Sequence, residues 1–136
     1  MKIEHIAIWV KDIDKVCEFY RKYFGGVIHP IYHNPAKQFT SRFVTFDDGA
    51  RLEVMHRPDV NVGIEEIVPR ETLPDTQHLG FTHLSFSVGS KEEVDRLTQQ
   101  MSSDGISVVG QPRTTGDGYY ESVVLDPEGN RIEITV

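Results

Sequence analysis

Two histidines and two glutamates recur at matching positions along the chain, and these residue types together can bind a metal ion. His83 lies 78 residues after His5, and Glu133 lies 80 residues after Glu53. Two imidazoles and two carboxylates form a mixed nitrogen and oxygen donor set that suits Zn, Ni, Co, Mn or Fe. Without an ion, two facing carboxylates would repel each other. We therefore predict that these four residues bind one divalent metal ion and leave coordination positions open for a substrate.

Strand alternation places the four side chains opposite the apolar residues of their strands. In the first predicted strand, Ile6 and Ile8 lie on one face and His5 on the other. The same alternation separates His83 from Leu84, and both glutamates are likewise flanked by apolar residues. A helix covers the apolar face of such a sheet. The four predicted ligands are therefore expected on the concave faces, away from the helices.

Two segments repeat one order of elements, strand–helix–strand–strand–strand, and this repeat positions the predicted ligands. In the first segment, Asp12 is a candidate helix N-cap and Gly25 a candidate stop. In the second, Ser90 and Glu93 form a capping-box pattern. The predicted elements are, in order, KIEHIAIWV, KDIDKVCEFYRKYFGG, VIHPIYHN, FTSRFVTF and ARLEVMH, then FTHLSFSV, SKEEVDRLTQQMSSDG, ISVVG, YYESVVL and RIEITV. A nearly constant offset between the copies indicates an internal duplication.

The duplication predicts an α+β fold of two tandem βαβββ modules within a single domain, residues 1–136. The modules cover about residues 1–58 and 80–136, and a linker or lid of about 59–79 joins them. Two such modules would form a curved, half-barrel mixed sheet with the helices on the outside. The sequence leaves open whether the two modules of one chain build the site or whether modules pair across a dimer.

Composition excludes several classes of partner. The net charge of −7 and the lack of a basic run argue against nucleic-acid binding. The apolar runs are far shorter than the roughly 20 residues that cross a membrane, and the N-terminus does not have the pattern of a signal peptide. The single cysteine, Cys17, excludes an intramolecular disulfide and fits a reducing compartment. We therefore expect a cytoplasmic protein that binds neither nucleic acid nor a membrane.

Four stretches of the sequence resemble the vicinal oxygen chelate superfamily, which includes glyoxalase I, methylmalonyl-CoA epimerase, extradiol dioxygenases, and fosfomycin and bleomycin resistance proteins. These stretches are HIAIWVKDIDKVCEFYRKYFG, RLEVM, THLSFSV and GYYESVVLDPEGNRIEIT, and together they span nearly the whole chain. The resemblance implies paired βαβββ modules, a divalent metal ion and a homodimer.

The residue at position 53 discriminates between branches of that superfamily. Glyoxalase I-like members use His or Gln, Glu, His and Glu as ligands, and this sequence fills those positions with His5, Glu53, His83 and Glu133. Epimerases commonly carry Gln where Glu53 stands, and extradiol dioxygenases and fosfomycin enzymes have no ligand there. The resemblance therefore favours a metal-dependent isomerase or lyase similar to lactoylglutathione lyase.

The chemistry implied for this branch is proton transfer next to a carbonyl group of a small 2-oxo compound or its thiol adduct. The ion acts as a Lewis acid that stabilises an enediolate, and a carboxylate moves the proton between adjacent carbons. Glu133 is the first choice for this base and Glu53 the second. No residue set in the sequence can be tied to glutathione.

Three other functions remain open at this point. The first is an acyl-thioester epimerase similar to methylmalonyl-CoA epimerase, which uses the same proton chemistry. The second is a small-molecule binding or antibiotic resistance protein, although bleomycin-binding members generally lack the metal ligands. The third is an Fe(II) extradiol dioxygenase, which Glu53 disfavours because it fills a position that substrate or O₂ needs.

Six further residues are candidates for the substrate pocket because of their strand parity. Trp9, Phe81 and Ser85 share faces with the two histidines, Arg51 shares a face with Glu53, and Tyr119 and Glu121 share parity on a strand of the second module. The alternative interpretations are core packing for Trp9 and Phe81 and a solvated surface for Arg51 and Glu121.

Overall fold

The computed structural model describes residues 2–60 and 80–136, and these residues form two compact units, one on each side of the gap. The elements of the first unit are β1 (His5–Trp9), α1 (Ile13–Phe24), β2 (Val27–Ile28), β3 (Tyr32–Asn34), β4 (Phe39–Thr45) and β5 (Arg51–His56). Those of the second unit are β6 (Leu84–Ser87), α2 (Lys91–Ser103), β7 (Val108–Thr114), β8 (Tyr120–Leu125) and β9 (Arg131–Thr135). Most of the predicted linker or lid, residues 61–79, lies outside the described residues.

The two units share one order of four strands, and the sheet of the first unit has a fifth strand, β3. In the first unit the strand order is β1-β5-β4-β2, with β3 also paired to β4, and in the second it is β6-β9-β8-β7. In each unit the first strand runs parallel to the last strand, and the other pairs are antiparallel. The predicted α+β fold with βαβββ repeats is thereby confirmed. That the two units form a single domain stays a prediction.

Helix α1 begins and ends where the sequence predicts. The Asp12 carboxylate accepts a hydrogen bond from the backbone N–H of Lys15 at 3.0 Å, and Gly25 ends the helix in the left-handed region at φ 66°. Gly26 follows so close to the sheet that an added Cβ would lie 2.5 Å from Val44 Cγ1. The buried core of this unit comprises Val16, Cys17, Phe19 and Tyr20 of the helix with Val44, Leu52 and Val54 of the sheet.

Helix α2 forms only half of the predicted capping box. The Ser90 hydroxyl accepts a hydrogen bond from the backbone N–H of Glu93 at 3.2 Å. The Glu93 carboxylate accepts hydrogen bonds from Arg96 Nε at 2.9 and 3.0 Å, because this cation lies one turn along the helix. The buried core of this unit comprises Val94, Leu97 and Met101 of the helix with Val124, Ile132 and Ile134 of the sheet.

Three predicted strand boundaries were wrong. Strand β6 begins at Leu84 and not at Phe81, because its ladder with β9 begins at the pair Leu84 and Ile132. The predicted strand VIHPIYHN is divided into β2 and β3, with Pro30, which has no N–H to donate, between them.

The third boundary concerns β7, which was predicted at residues 106–110. The strand runs from Val108 to Thr114 and includes Pro112. It lies at the edge of its sheet, and its register with β8 shifts on both sides of Gly110. Edge strands tolerate proline and irregular pairing. Pro112 therefore lies within a strand, although its residue type suggests the end of one.

None of the helices in the described residues is both long and apolar enough to span a bilayer.

Candidate metal centre

In the first unit, the parallel pairing of β1 and β5 brings His5 and Glu53 together. Glu53 lies opposite Ala7, and His5 lies opposite Arg51, so both side chains are on one face of the sheet. His5 Nε2 is 3.9 Å from Glu53 Oε2, and the Glu53 side chain is 16% exposed. Leu52, beside Glu53 in sequence, points to the buried opposite face. The alternation predicted from the sequence therefore places this pair away from the helix.

In the second unit, the parallel pairing of β6 and β9 brings His83 and Glu133 together. Glu133 lies opposite Ser85, just as Glu53 lies opposite Ala7, and His83 directly precedes β6. His83 Nε2 is 3.4 Å from Glu133 Oε2, and the Glu133 side chain is 17% exposed. The two copies therefore correspond residue by residue at these positions.

The distance within the second pair fits donors that share one metal ion, and the distance within the first pair is wider than that spacing. Two ligand atoms, each about 2.1 Å from an ion and separated by about 90–110°, lie roughly 3.0–3.4 Å apart. The pair of His83 and Glu133 meets this spacing at 3.4 Å, and the pair of His5 and Glu53 is slightly wider at 3.9 Å. One neutral imidazole and one carboxylate in each unit also match the ligand types of borderline divalent ions.

His5 is held by groups that precede it and lie opposite it. Its Nδ1 is 2.5 Å from Glu4 Oε2, and since a carboxylate only accepts, Nδ1 carries the proton and donates it. Arg51 forms an ion pair with the other oxygen of Glu4. The pKa of Glu4 is lowered, chiefly by the hydrogen bond from His5 and also by the Arg51 charge. The Phe43 ring contacts both, edge-on to His5 at 5.7 Å and with Arg51 Cζ 4.1 Å from its centroid.

Glu133 is held by neighbours on both adjacent strands. The Ser85 hydroxyl donates to Glu133 Oε1 at 2.6 Å, which leaves Oε2 facing His83. On the other side, burial raises the pKa of Glu121, and the charge of Glu133 and a hydrogen bond to it raise it further. Arg113, 3.4 Å from Glu121 Oε1, acts in the opposite direction. The second unit therefore has two carboxyl groups close together, of which Glu121 is 14% exposed.

Three of the six pocket candidates lie against the predicted ligands or next to them. Ser85 and Glu121 contact Glu133, and Arg51 contacts Glu4, the neighbour of His5. The three aromatic candidates are exposed, namely Trp9 at 43%, Phe81 at 95% and Tyr119 at 56%. Their role in a substrate pocket stays a prediction, as does that of the other three.

The remaining described histidines are engaged elsewhere. His29 Nε2 is 2.9 Å from Thr45 Oγ1, and His33 Nδ1 is 3.1 Å from Thr40 Oγ1. His56 Nδ1 donates to the backbone carbonyl of Val10, the residue after β1, at 3.0 Å. These contacts agree with the interpretation of the three residues as incidental to the predicted site, whereas His78 lies outside the described residues.

Across residues 2–60 and 80–136, no three or more His, Cys, Asp or Glu side chains are grouped in a way that holds a metal ion. Each unit instead contributes one His–Glu pair. The four-residue site therefore stays a prediction, and each unit contains one half of it.

The sequence and topology of the chain are similar to those of known proteins. A model of the Glyoxalase/Bleomycin resistance protein/Dioxygenase superfamily matches residues 2–134. The chain belongs to this superfamily. The chain is also similar to the uncharacterized protein YqjT of Bacillus subtilis, which is 23% identical over 135 residues, or 97% of this chain and 96% of that protein.

Solved structures of other proteins share the fold of this chain at low sequence identity. Glyoxalase I of Leishmania major is 19% identical with a TM-score of 0.72, over 99% of this chain and 86% of that one. A glyoxalase family protein from Enterococcus faecalis is 22% identical with a TM-score of 0.74, over 99% and 97%. Glyoxalase I from Zea mays is 18% identical with a TM-score of 0.72, and this chain covers 98% of its own length but 44% of the maize chain. Such likeness establishes the fold alone.

Sequence reasoning missed Glu4 as a neighbour of His5. Strict alternation would place adjacent residues on opposite faces, but Glu4 precedes β1, so its side chain is not bound by that rule. The presence of an acidic residue directly before a predicted histidine ligand was the available signal, since such ligands commonly donate their second N–H to a carboxylate.

Proposed function

We propose that this superfamily member is a metal-dependent isomerase or lyase of the glyoxalase I type. His5, Glu53, His83 and Glu133 bind one divalent ion, and the substrate is a small 2-oxo compound or its thiol adduct. The observation that carries the proposal is the matched register of the two His–Glu pairs. In both units the glutamate lies opposite the residue two positions after the histidine.

Glu53 is the residue that favours this branch of the superfamily. A fourth protein ligand at this position is expected for glyoxalase I-like enzymes and occupies a coordination position that an extradiol dioxygenase needs. Glu53 is largely buried, and the described residues provide no hydrogen-bond donor to its carboxylate within 3.5 Å. A carboxylate left in this state is available to a cation.

A bound divalent ion would supply Lewis-acid polarisation of the substrate oxygens. The chain itself supplies the base, and Glu133 is our first assignment because Ser85 fixes its orientation. The Ser85 hydroxyl holds Oε1, and the carboxylate would take a proton from the carbon next to the carbonyl and return it to the neighbouring carbon. Glu53 is the second assignment.

The substrate class follows from the reaction and not from a recognised binding motif. The proton transfer requires a carbonyl group with an acidic neighbouring C–H, as in a 2-oxoaldehyde joined to a thiol. The Leishmania major neighbour is a trypanothione-dependent glyoxalase I, which makes trypanothione one of several thiol carriers to test. We also propose a homodimer, for which the native mass is the direct measurement.

The test begins with the metal content of the purified protein before and after chelation and reloading with Ni²⁺, Co²⁺, Zn²⁺ or Mn²⁺. The proposal expects one ion for each set of four ligands, and isomerisation of methylglyoxal–thiol adducts only by loaded protein. His5→Ala and His83→Ala should both abolish binding at metal concentrations that saturate the wild type. Glu133→Gln should lower turnover by about 10²–10⁴-fold, the usual contribution of a general base, with a smaller effect on metal affinity.

His33→Ala and Glu18→Gln are matched controls, because they remove the same residue types outside the two pairs. His33 contacts Thr40 and Glu18 contacts Arg21, so both variants should retain metal and turnover. Failure of the wild type to bind any of the ions would overturn the proposal. Turnover of an acyl thioester in place of the adducts would assign the protein to the epimerases instead.

A further inference from the structure

The two His–Glu pairs share a register, but different members of each pair receive support from neighbouring groups. In the first unit the histidine is supported, since His5 Nδ1 lies 2.5 Å from Glu4 Oε2 and Arg51 pairs with Glu4. In the second unit the residue before the histidine is Thr82, which has no carboxylate to accept such a bond.

Of the two glutamates, the one in the second unit is supported and the one in the first unit is not. Ser85 donates a hydrogen bond to Glu133 at 2.6 Å, because the parallel ladder places the two residues directly opposite each other. The equivalent residue opposite Glu53 is Ala7, which has no hydroxyl group. The duplicated scaffold therefore presents four similar ligand positions with two different supports.

Each support would leave one ligand atom available to bind an ion. A carboxylate that accepts the Nδ1–H of His5 fixes the imidazole tautomer and leaves the Nε2 lone pair available. A hydroxyl that donates to Oε1 of Glu133 restricts rotation of the carboxylate and leaves Oε2 available. In both units the available atom faces the other ligand of its pair. His5 Nε2 faces Glu53 Oε2 in the first unit, and Glu133 Oε2 faces His83 Nε2 in the second.

We propose that Glu4 and Ser85 are positioning residues for the metal ligands, with Glu4 acting through His5 and Ser85 acting through Glu133. The proposal rests on the proposed metal site and adds the residues that orient it. It also explains why Arg51 lies opposite His5. Its guanidinium holds Glu4 in place, which is a structural task that differs from the substrate contact predicted from its parity.

The test compares metal dissociation constants, measured by calorimetry with Ni²⁺ and Zn²⁺ added to the metal-free protein. Glu4→Ala and Ser85→Ala should each weaken binding by about 10–100-fold, the usual effect of losing an outer partner of a ligand. Glu4→Gln and Ser85→Thr keep an acceptor and a hydroxyl respectively, so both should recover most of the affinity. Two matched controls make the same changes elsewhere: Glu18→Ala in the first unit and Ser87→Ala on the strand of Ser85. Both variants should bind metal as tightly as the wild type does.

A second measurement needs no metal. Long-range ¹H–¹⁵N correlation spectra of the metal-free protein report which nitrogen of His5 carries the proton. The wild type should show the Nδ1–H tautomer, and Glu4→Ala should shift the ring towards a mixture of both tautomers, while the spectrum of His33 stays unchanged.

The outcomes separate this proposal from the proposed function. If the wild type binds no metal, the metal site and this proposal both fail. If the wild type binds metal and Glu4→Ala and Ser85→Ala bind it equally well, the metal site stands and this proposal is overturned. Weakening by the alanine variants with recovery by the conservative variants supports it, and an Nε2–H tautomer of His5 in the wild type contradicts the role of Glu4.

Discussion

Glu121 and Glu133 lie beside each other on neighbouring strands of the second unit, on the face opposite the helix. Burial raises the pKa of Glu121, and the charge of Glu133 raises it further. The folded state therefore holds the Glu121 proton more tightly than the unfolded state does, and this contribution to stability is lost as the pH rises above the ordinary value of 4.5. At neutral pH the metal-free protein therefore has less of this contribution than it has near pH 4.

From this relationship we predict that Glu121→Gln raises the free energy of unfolding of the metal-free protein at neutral pH, with less effect near pH 4. Urea unfolding at several pH values measures the difference. Glu93→Gln is the contrasting variant, because the hydrogen bond with Arg96 lowers the pKa of Glu93. Loss of that carboxylate should not stabilise the folded protein. A lower free energy of unfolding for Glu121→Gln at neutral pH would contradict the prediction.

The fold was predictable because the duplication is visible in the sequence at the level of single residues. The offset that joins His5 to His83 is also the offset of the helix caps Asp12 and Ser90, so one copy supports the interpretation of the other. Strand ends were harder to predict because they depend on the partner. The start of β6 is set by where β9 offers a hydrogen-bonding partner, which the local sequence does not contain.

The candidate site was predictable to the extent that it depends on strand parity. Parity places His5 and Glu53 on one face. It also places Tyr120 and Glu121 on opposite faces, and the Tyr120 hydroxyl accordingly donates a hydrogen bond to Asp95 of α2 at 2.7 Å. The contact between Glu4 and His5 was not predictable in this way, because it depends on the rotamer of a residue outside the strand. The sequence therefore predicts which residues share a face but not which of them orient one another.

Gly26 should be intolerant of any side chain. A Cβ at this position would lie 2.5 Å from Val44 Cγ1 and 3.2 Å from a ring carbon of Phe46, so Gly26→Ala must displace the buried Val44. We expect a loss of about 1–3 kcal/mol of stability, the usual cost of overpacking a core. Gly116→Ala is the control, because no atom lies within 4 Å of its Cβ position. Thermal unfolding of the two variants should separate them, and equal melting temperatures would contradict the prediction.

Cys17 should be unreactive in the folded protein. The residue is fully buried, and burial raises the pKa of its thiol from 9.0 to about 11, so little thiolate is present at pH 8. Iodoacetamide should label the denatured protein and not the native one. Because the folded state holds the thiol proton more tightly, the contribution of Cys17 to stability is complete below pH 9 and is lost as the pH rises to 11, by about 2 kcal/mol.

The variant Cys17→Ala isolates this contribution, because other groups also titrate in alkaline solution. The difference in unfolding free energy between wild type and variant should be constant from pH 7 to 8 and should then change in favour of the variant as the pH rises towards 11. A difference that stays constant throughout, or labelling of the native protein at pH 8, would contradict the assignment of the raised pKa to burial.

The pair of Thr98 and Ser122 joins α2 to β8 through a buried hydrogen bond. The Thr98 hydroxyl donates to the backbone carbonyl of Val94 at 2.6 Å, and its oxygen is 2.6 Å from Ser122 Oγ. A hydroxyl has a single proton, so Thr98 donates to Val94 and Ser122 donates to Thr98. Thr98→Val is nearly isosteric and leaves the buried Ser122 hydroxyl without its acceptor, which should cost about 1–3 kcal/mol.

A double-mutant cycle tests the direction of this bond. Ser122→Ala should cost less than Thr98→Val, because Thr98 keeps its own bond to Val94 when Ser122 is removed. The double variant Thr98→Val with Ser122→Ala should be more stable than Thr98→Val alone, since no buried hydroxyl is then left unpaired. Equilibrium unfolding in urea gives the four free energies. If the two single losses simply add in the double variant, the hydroxyl groups are not coupled and the assigned donor and acceptor roles are wrong.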